Sequence, residues 1–196
     1  MALDHRGTLS QQGNMQQVTN ALVEDVTVEK GCTGFILISY TAYTSNQTPY
    51  IDVIRLNVDK NTKILNLAGR STCLSSIRKG MWINAVFSSS MTRSIPPQAN
   101  AFLILIRRGP RPSYNASLQR IISVDAKNNS ILAADPLNIA RQTRFMITNN
   151  TIIRNRSGNV ISLSDLQQGQ LISILHANFQ TASIPPQTTA FYIQVL

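Results

Sequence analysis

Two histidines, two cysteines and nine carboxylates are the chain's whole stock of groups for acid–base, nucleophilic or metal chemistry across 196 residues. A hydrolase or transferase needs a base, a nucleophile or a metal at workable spacing. These residues do not supply it. His5 lies in a polar leading stretch, and His176 stands at a strand end where the other half of the chain has Phe87, so it reads as a rim or packing residue. Glu24 and Asp25 are neighbours, which in a strand sends them to opposite faces. Asp59 meets Thr148 and Asp165 meets Ser76 when the halves are superposed, so no acid pair is shared, and Asp52 has no clear counterpart. Cys32 and Cys73 form no CxxC and have no histidine pair beside them. They read as small buried apolar residues, with a bond between them or to another subunit as the alternative. GxGxxG, P-loop and HExxH motifs are absent. Sequons at Asn46, Asn115, Asn128, Asn149 and Asn155 carry no weight in a chain so rich in Asn, Ser and Thr. The expectation is a protein that is not an enzyme and uses no cofactor or metal.

Charge points instead to binding. The net charge is +9 and the isoelectric point near 10.2, which favours nucleic acid or another anionic polymer as partner, or simply keeps a sparsely charged protein soluble. Only 14% of residues are charged, against roughly 25% in ordinary soluble domains. Arg120, Arg144, Arg154 and Arg156 could supply the charge of a single-strand-binding face, and Tyr114, Phe145, Phe179 and Tyr192 its stacking platforms. Such a face does not recur in the first half, where Leu65 replaces Arg154, Leu67 replaces Arg156 and Ser90 replaces Phe179.

The elements that must position these residues are themselves duplicated. "SIPPQANAFLILI" from Ser94 returns as "SIPPQTTAFYIQVL" from Ser183, 89 positions on, and the match holds without a gap from Arg55 on Arg144 to Ile106 on Val195. Upstream, Leu22, Val26 and Val28 align with Leu118, Ile122 and Val124 at a spacing of 96, which places about seven extra residues in the first copy's hairpin "YTAYTSNQTPY". Each copy reads as five or six short β-branched or aromatic runs bounded by Gly, Asn, Asp and Pro, with one helical turn. In the second copy Ser162 and Asp165 form a capping box for that turn. In the first, Cys73 replaces the serine and the cap is weaker or moved. The pattern predicts an all-β protein of two tandem, small OB-like β-barrels, with domains over residues 18–108 and 114–196 and a Pro/Arg linker over 109–113. The Pro-Pro steps cannot donate ladder hydrogen bonds, so they end strand pairing and set the crossing between the last two strands.

Two surfaces suggest self-association. Along "AFLILI" both faces are apolar, so Leu103 and Leu105, with Trp82 and Tyr192, are candidate interface residues against the other barrel or another chain. Residues 1–17 lack a core pattern and read as a flexible arm, either a free tail or a strand added to a neighbouring subunit's sheet edge. The leading stretch has no apolar segment of signal-peptide type and no window is long enough to span a membrane, so synthesis in the cytoplasm is expected.

The order "NT-I…G…L…G…I-A-V…A-F-I" resembles a bacterial family of small β-barrel domains of unknown function, and "FSSSMTRSIPPQANAF" resembles uncharacterised proteins of spore-forming Firmicutes. The resemblance implies a tandem barrel with a link to sporulation or the cell surface, and it brings no catalytic residue. The combined expectation is a self-assembling structural protein of a filament, coat or surface layer, with anionic-polymer binding as the alternative.

Overall fold

The computed structural model describes residues 5–107 and 114–196, apart from the side chain of Tyr114. The chain divides into two compact units, Met1–Arg111 and Pro112–Leu196. That division falls inside the expected linker 109–113, which itself lies outside the described residues.

Unit 1 contains β1 (Leu9–Gln12), β2 (Met15–Lys30), β3 (Thr33–Tyr43), β4 (Pro49–Val58), β5 (Lys63–Leu65), β6 (Trp82–Ser88) and β7 (Gln98–Arg107). Unit 2 contains β8 (Tyr114–Asp125), β9 (Ser130–Asp135), β10 (Asn138–Met146), β11 (Ile152–Arg154), β12 (Leu171–Ala177) and β13 (Gln187–Val195). A single 3-10 turn precedes the fourth barrel strand in each, at Leu74–Ser76 and Leu163–Asp165. In unit 1, β2, β3 and β4 form an antiparallel meander; β4 then pairs in parallel with β7, β7 with β6, and β6 back with β2. The ring β8-β9-β10-β13-β12 closes identically. Both are five-stranded barrels of OB-like order, as the alternation of apolar residues predicts. Inward side chains make the cores: Ile36, Ile38, Ile54, Leu56, Ile83 and Ile104 in unit 1, Ile131, Ile172, Ile174 and Ile193 in unit 2, all at 0% exposure.

The register differs from the expected one upstream of Arg55. Gly80 and Gly169 donate their N–H to the carbonyls of Val23 and Ile121, both at 2.8 Å. These two are therefore equivalent, at a spacing of 98 rather than 96. Ile36 pairs with Val26 as Ile131 pairs with Val124, a spacing of 95. The excess in unit 1 is thus three residues in the β2–β3 turn and six in the β3–β4 hairpin. A slip of two leaves the in-out alternation of a strand unchanged, which is why the residue pattern alone accepts either register.

Those three turn residues bring in Cys32, which is bonded to Cys73 with Cα atoms 5.0 Å apart. The reading of both cysteines as buried apolar residues is therefore corrected: Cys32 is exposed and Cys73 half-buried. Residues 5–17 are not a flexible arm either. β1 forms a hairpin with β2, pairing Leu9 with Val18. Gly7 bridges two strands, its N–H donating to the Asn20 carbonyl at 3.0 Å and its carbonyl accepting from Thr41 N–H at 2.9 Å. A Cβ at Gly7 would collide with the Thr19 carbonyl, so only glycine fits there. The Arg6 guanidinium lies 3.0 Å from Glu24, and Ser39 donates to the same carboxylate. Together these hold the Glu24 carboxyl below its ordinary range, the Ser39 hydrogen bond most of all. Edge pairing uses backbone groups, so a polar Ser-Gln stretch forms a strand without the apolar alternation that would announce one.

Candidate functional site

The repeated phrase builds the same loop twice, bond for bond. In unit 1 it joins β6 to β7: Thr92 N–H donates to the Gln98 carbonyl at 3.0 Å, Gln98 N–H donates to Thr92 Oγ1 at 3.0 Å, and Ser94 Oγ donates to the Pro96 carbonyl at 2.8 Å. In unit 2 Thr181, Ser183, Pro185 and Gln187 repeat these bonds at 2.9, 2.9 and 2.9 Å. The peptide bonds Ile95-Pro96 and Ile184-Pro185 are both cis. The second proline of each pair fastens the loop to the third barrel strand, since Arg55 N–H donates to the Pro97 carbonyl and Arg144 N–H to the Pro186 carbonyl, each at 2.9 Å. The loop therefore does mark the crossing at which the barrel closes.

Its tip is unexpected. Ile95 is 100% exposed and Ile184 99%. Each is a large aliphatic side chain fully in water, on a loop closed by a hydrogen bond between residues six apart and built twice. In the sequence an isoleucine before proline reads as the end of a strand. The signal that could have marked it was the extended match "TRSIPPQ" with "TASIPPQ", whose Thr and Ser make the internal bonds.

A second apolar feature belongs to unit 1 alone. The longer β3–β4 hairpin borders a concavity of about 450 Å³ lined by Arg6, Thr41, Tyr43, Pro49, Tyr50 and Ile51. Tyr43, Tyr50 and Ile51 are 57%, 46% and 43% exposed. Tyr40 beneath donates to Asp52 Oδ2 at 3.0 Å, and burial together with that carboxylate raises its phenol above the ordinary range.

The residues singled out from the sequence are placed as follows. Leu103 and Leu105 are 0% exposed and Tyr192 is 1% exposed, while Trp82 is half-buried. None of the first three offers free surface to another chain. Burial lifts the Tyr192 phenol above its usual range. Arg120, Arg144, Arg154 and Arg156 do not form one row: β9 separates β8 from β10, and β13 separates β10 from β11. Each also gives a guanidinium N–H to its own unit, to the carbonyls of Gly169, Gly158 and Leu196 for Arg120, Arg154 and Arg156, and to Ser130 Oγ for Arg144. Phe145 is buried and Phe179 is exposed. What does recur is Arg55 with Arg144, both on the outer face of the third strand; Arg55 lies 3.7 Å over the Phe35 ring.

His176 is an interior residue, 5% exposed, edge-on to Phe145 at 5.2 Å, with Nδ1 2.8 Å from the Ala177 carbonyl. Burial lowers its pKa below the ordinary 6.5. Among the described residues no three His, Cys, Asp or Glu side chains gather where they could hold a metal ion, and no helix is long and apolar enough to cross a membrane. Neither protein-family models nor curated proteins give a match to this chain.

Proposed function

We propose that the protein is a non-enzymatic structural subunit that associates with further copies of itself into a filament, coat or surface layer. The observation that carries this reading is the pair of equivalent loops with bare isoleucine tips. Two such knobs make each chain divalent, and divalency turns one weak contact into an assembly. The hollow beside Tyr43, Tyr50 and Ile51 is large enough to admit an isoleucine side chain and offers it exposed apolar surface. It depends on the six-residue hairpin extension that unit 2 lacks. A knob on one copy entering a hollow on the next is a heterologous contact, which propagates into a filament unless its rotation closes a ring. A spore coat or outer surface is the setting proposed, consistent with a disulfide, which persists under oxidising conditions.

Sedimentation velocity and negative-stain electron microscopy of the full chain at near-physiological salt test this. Ordered filaments or sheets are expected, reverting to a 21.7 kDa particle in the I95S/I184S variant. A wild-type chain that stays monodisperse at that mass sinks the reading. The alternative, anionic-polymer binding, rests on the recurrence of Arg55 and Arg144 beside the loop and on the +9 charge. Its signature would be affinity for single-stranded nucleic acid that falls steeply with salt and weakens in R55A/R144A.

A further inference from the structure

Among the described residues, unit 2 has no strand where unit 1 holds β1. In both barrels the leading half of the first strand pairs within the ring with the fourth strand alone: β2 with β6, and β8 with β12. In unit 1 the other edge of that half is covered by β1, and Val18 and Gln17 are 0% and 5% exposed. In unit 2 the corresponding edge, residues 115–119, is uncovered by any described strand. Between this edge and the bulged start of β10 lies a concavity of about 510 Å³. Its lining includes Ser117, Gln119, Gln142, Thr143, His176 and Gln180. Ser117 Oγ and Gln119 Oε1 are buried there without a hydrogen-bond partner among the described residues. Buried polar atoms of this kind normally have partners. At the same places unit 1 has Val18 and Ala21, which ask for none: Ile174 pairs with Ser117 as Ala85 pairs with Val18, and Ile172 with Gln119 as Ile83 with Ala21.

We propose that this slot is an acceptor for an extended peptide strand of another protein, of no net charge and carrying hydroxyl and amide side chains, which adds to β8 antiparallel as β1 adds to β2. The edge favours this mode of recognition. Residues 115–119 read N-A-S-L-Q, with neither the charge nor the proline that natural edge strands use to refuse a partner. The chemistry of the lining selects the strand, because Ser117, Gln119, Gln142, Thr143 and Gln180 offer hydroxyls and amides, while the single carboxylate, Asp135, and the single guanidinium, Arg141, are of opposite sign and ask for no net charge. The chain's own leading segment is not the intended occupant. Arg6 anchors that segment on Glu24 and Ser39, and the equivalent positions in unit 2 are Ile122 and Ala134, which give a guanidinium nothing to bind.

The slot borders the loop that carries Ile184, through Gln180 and Pro186 but not through the Ile184 side chain, so the test uses the full-length I95S/I184S chain, which removes the isoleucine contacts and keeps both lining residues. The probe is an acetylated, amidated peptide Gly-Thr-Leu-Ser-Gln-Gln-Gly, the sequence of residues 7–13 freed of the Arg6 anchor and used as a neutral hydroxyl- and amide-bearing strand, with a version carrying proline in place of the serine as control. Amide hydrogen exchange followed residue by residue should show protection rising at residues 115–119 with the first peptide and not with the second. Affinity should fall about tenfold in S117V/Q119A, which installs the unit 1 residues and is read against the unchanged exchange of the unit 2 core as a check on folding. No protection at millimolar peptide overturns the proposal. So does protection that appears instead at residues 15–20, which would mean simple displacement of β1. Concentration-dependent protection of residues 115–119 without peptide would make the slot a homotypic contact and overturn the assignment to another protein.

Discussion

The two barrels share a ring order, a Pro-Pro loop and a core, yet they are secured in different ways. Unit 1 spends its extra residues on closure. Three in the β2–β3 turn carry Cys32 to Cys73, and a leading strand covers the edge of β2. Unit 2 keeps the shorter turn. Ser162, standing where unit 1 has Cys73, donates both its N–H and its Oγ–H to Asp165, at 2.8 and 2.7 Å. That carboxyl is held below its ordinary range, first by the Ser162 side chain. One position thus serves as a local cap in one copy and as a covalent tie in the other. Both barrels close as rings, but the leading edge of the first strand is covered by β1 in unit 1 and by no described strand in unit 2, where Ser117 Oγ and Gln119 Oε1 are buried without a described partner.

The largest way to break the contrast is to remove the tie. The disulfide closes a loop with a sequence separation of 41, for which loop-closure entropy gives about 4 kcal/mol. Trp82 is the only tryptophan and lies in unit 1, so its fluorescence follows that barrel's unfolding. C32S/C73S should move the fluorescence-detected urea transition to much lower concentration and leave the unit 2 transition, followed by residue-resolved hydrogen exchange, in place. Equal loss in both units would show that the barrels do not unfold independently. No loss in unit 1 would show that the covered edge and core suffice without the bond.

How far the sequence foretold this arrangement depends on the kind of interaction involved. The barrels were legible because alternating side chains must face a core, and the ungapped spacing of 89 from Arg55 onward carried one copy's strands onto the other. Register before Arg55 was not, since a shift of two preserves that alternation. Leu103 and Leu105 were readable as a second apolar face, but a sequence cannot distinguish a face that is covered within the chain from one left bare, and both are fully buried. Ile95 and Ile184 show the reverse case. They look like strand residues, and only the path of the loop puts them in water. Cys32 and Cys73 meet because of an insertion whose location depends on the register, so their pairing was hidden twice over. β1 was hidden because backbone pairing at an edge leaves little trace in side-chain type.

A smaller effect sharpens the comparison at β1. Deleting residues 1–12 uncovers Val18 and Gln17 and removes the packing of Leu9 on the unit 1 core, a loss of roughly 2 kcal/mol from the apolar area involved. R6A should cost less, about 0.5 kcal/mol, because the Arg6 and Glu24 side chains are 20% and 31% exposed and solvent screens the pair. The fluorescence-detected urea midpoint of each variant measures both. The deletion should also make unit 1 resemble unit 2 by exposing a strand edge. If its stability matched the wild type, β1 would be an appendage and the contrast in closure would rest on the disulfide alone.

The subtlest difference lies inside the barrels, at the position filled by Phe87 in unit 1 and His176 in unit 2. Burial favours the neutral imidazole and puts the folded pKa of His176 below 6.5. At pH values between the folded and unfolded pKa, the unfolded chain takes up a proton that the folded unit excludes. The contribution of His176 is therefore complete above about pH 6.5, declines as the pH falls through the window below it, and levels off under the folded pKa. Unit 2 should lose stability on acidification from about pH 7.5 to about pH 5 through this group, while unit 1, with Phe87, has no such contribution at this position. H176F copies unit 1 and should flatten that part of the unit 2 profile, measured as urea midpoints by circular dichroism after the fluorescence-detected transition of unit 1 has been accounted for. The larger ring also meets Phe145, which already lies edge-on at 5.2 Å, so a small change in midpoint at neutral pH is compatible with the argument. An unchanged pH slope is not: it would place the proton-linked loss of stability elsewhere and leave His176 as packing alone.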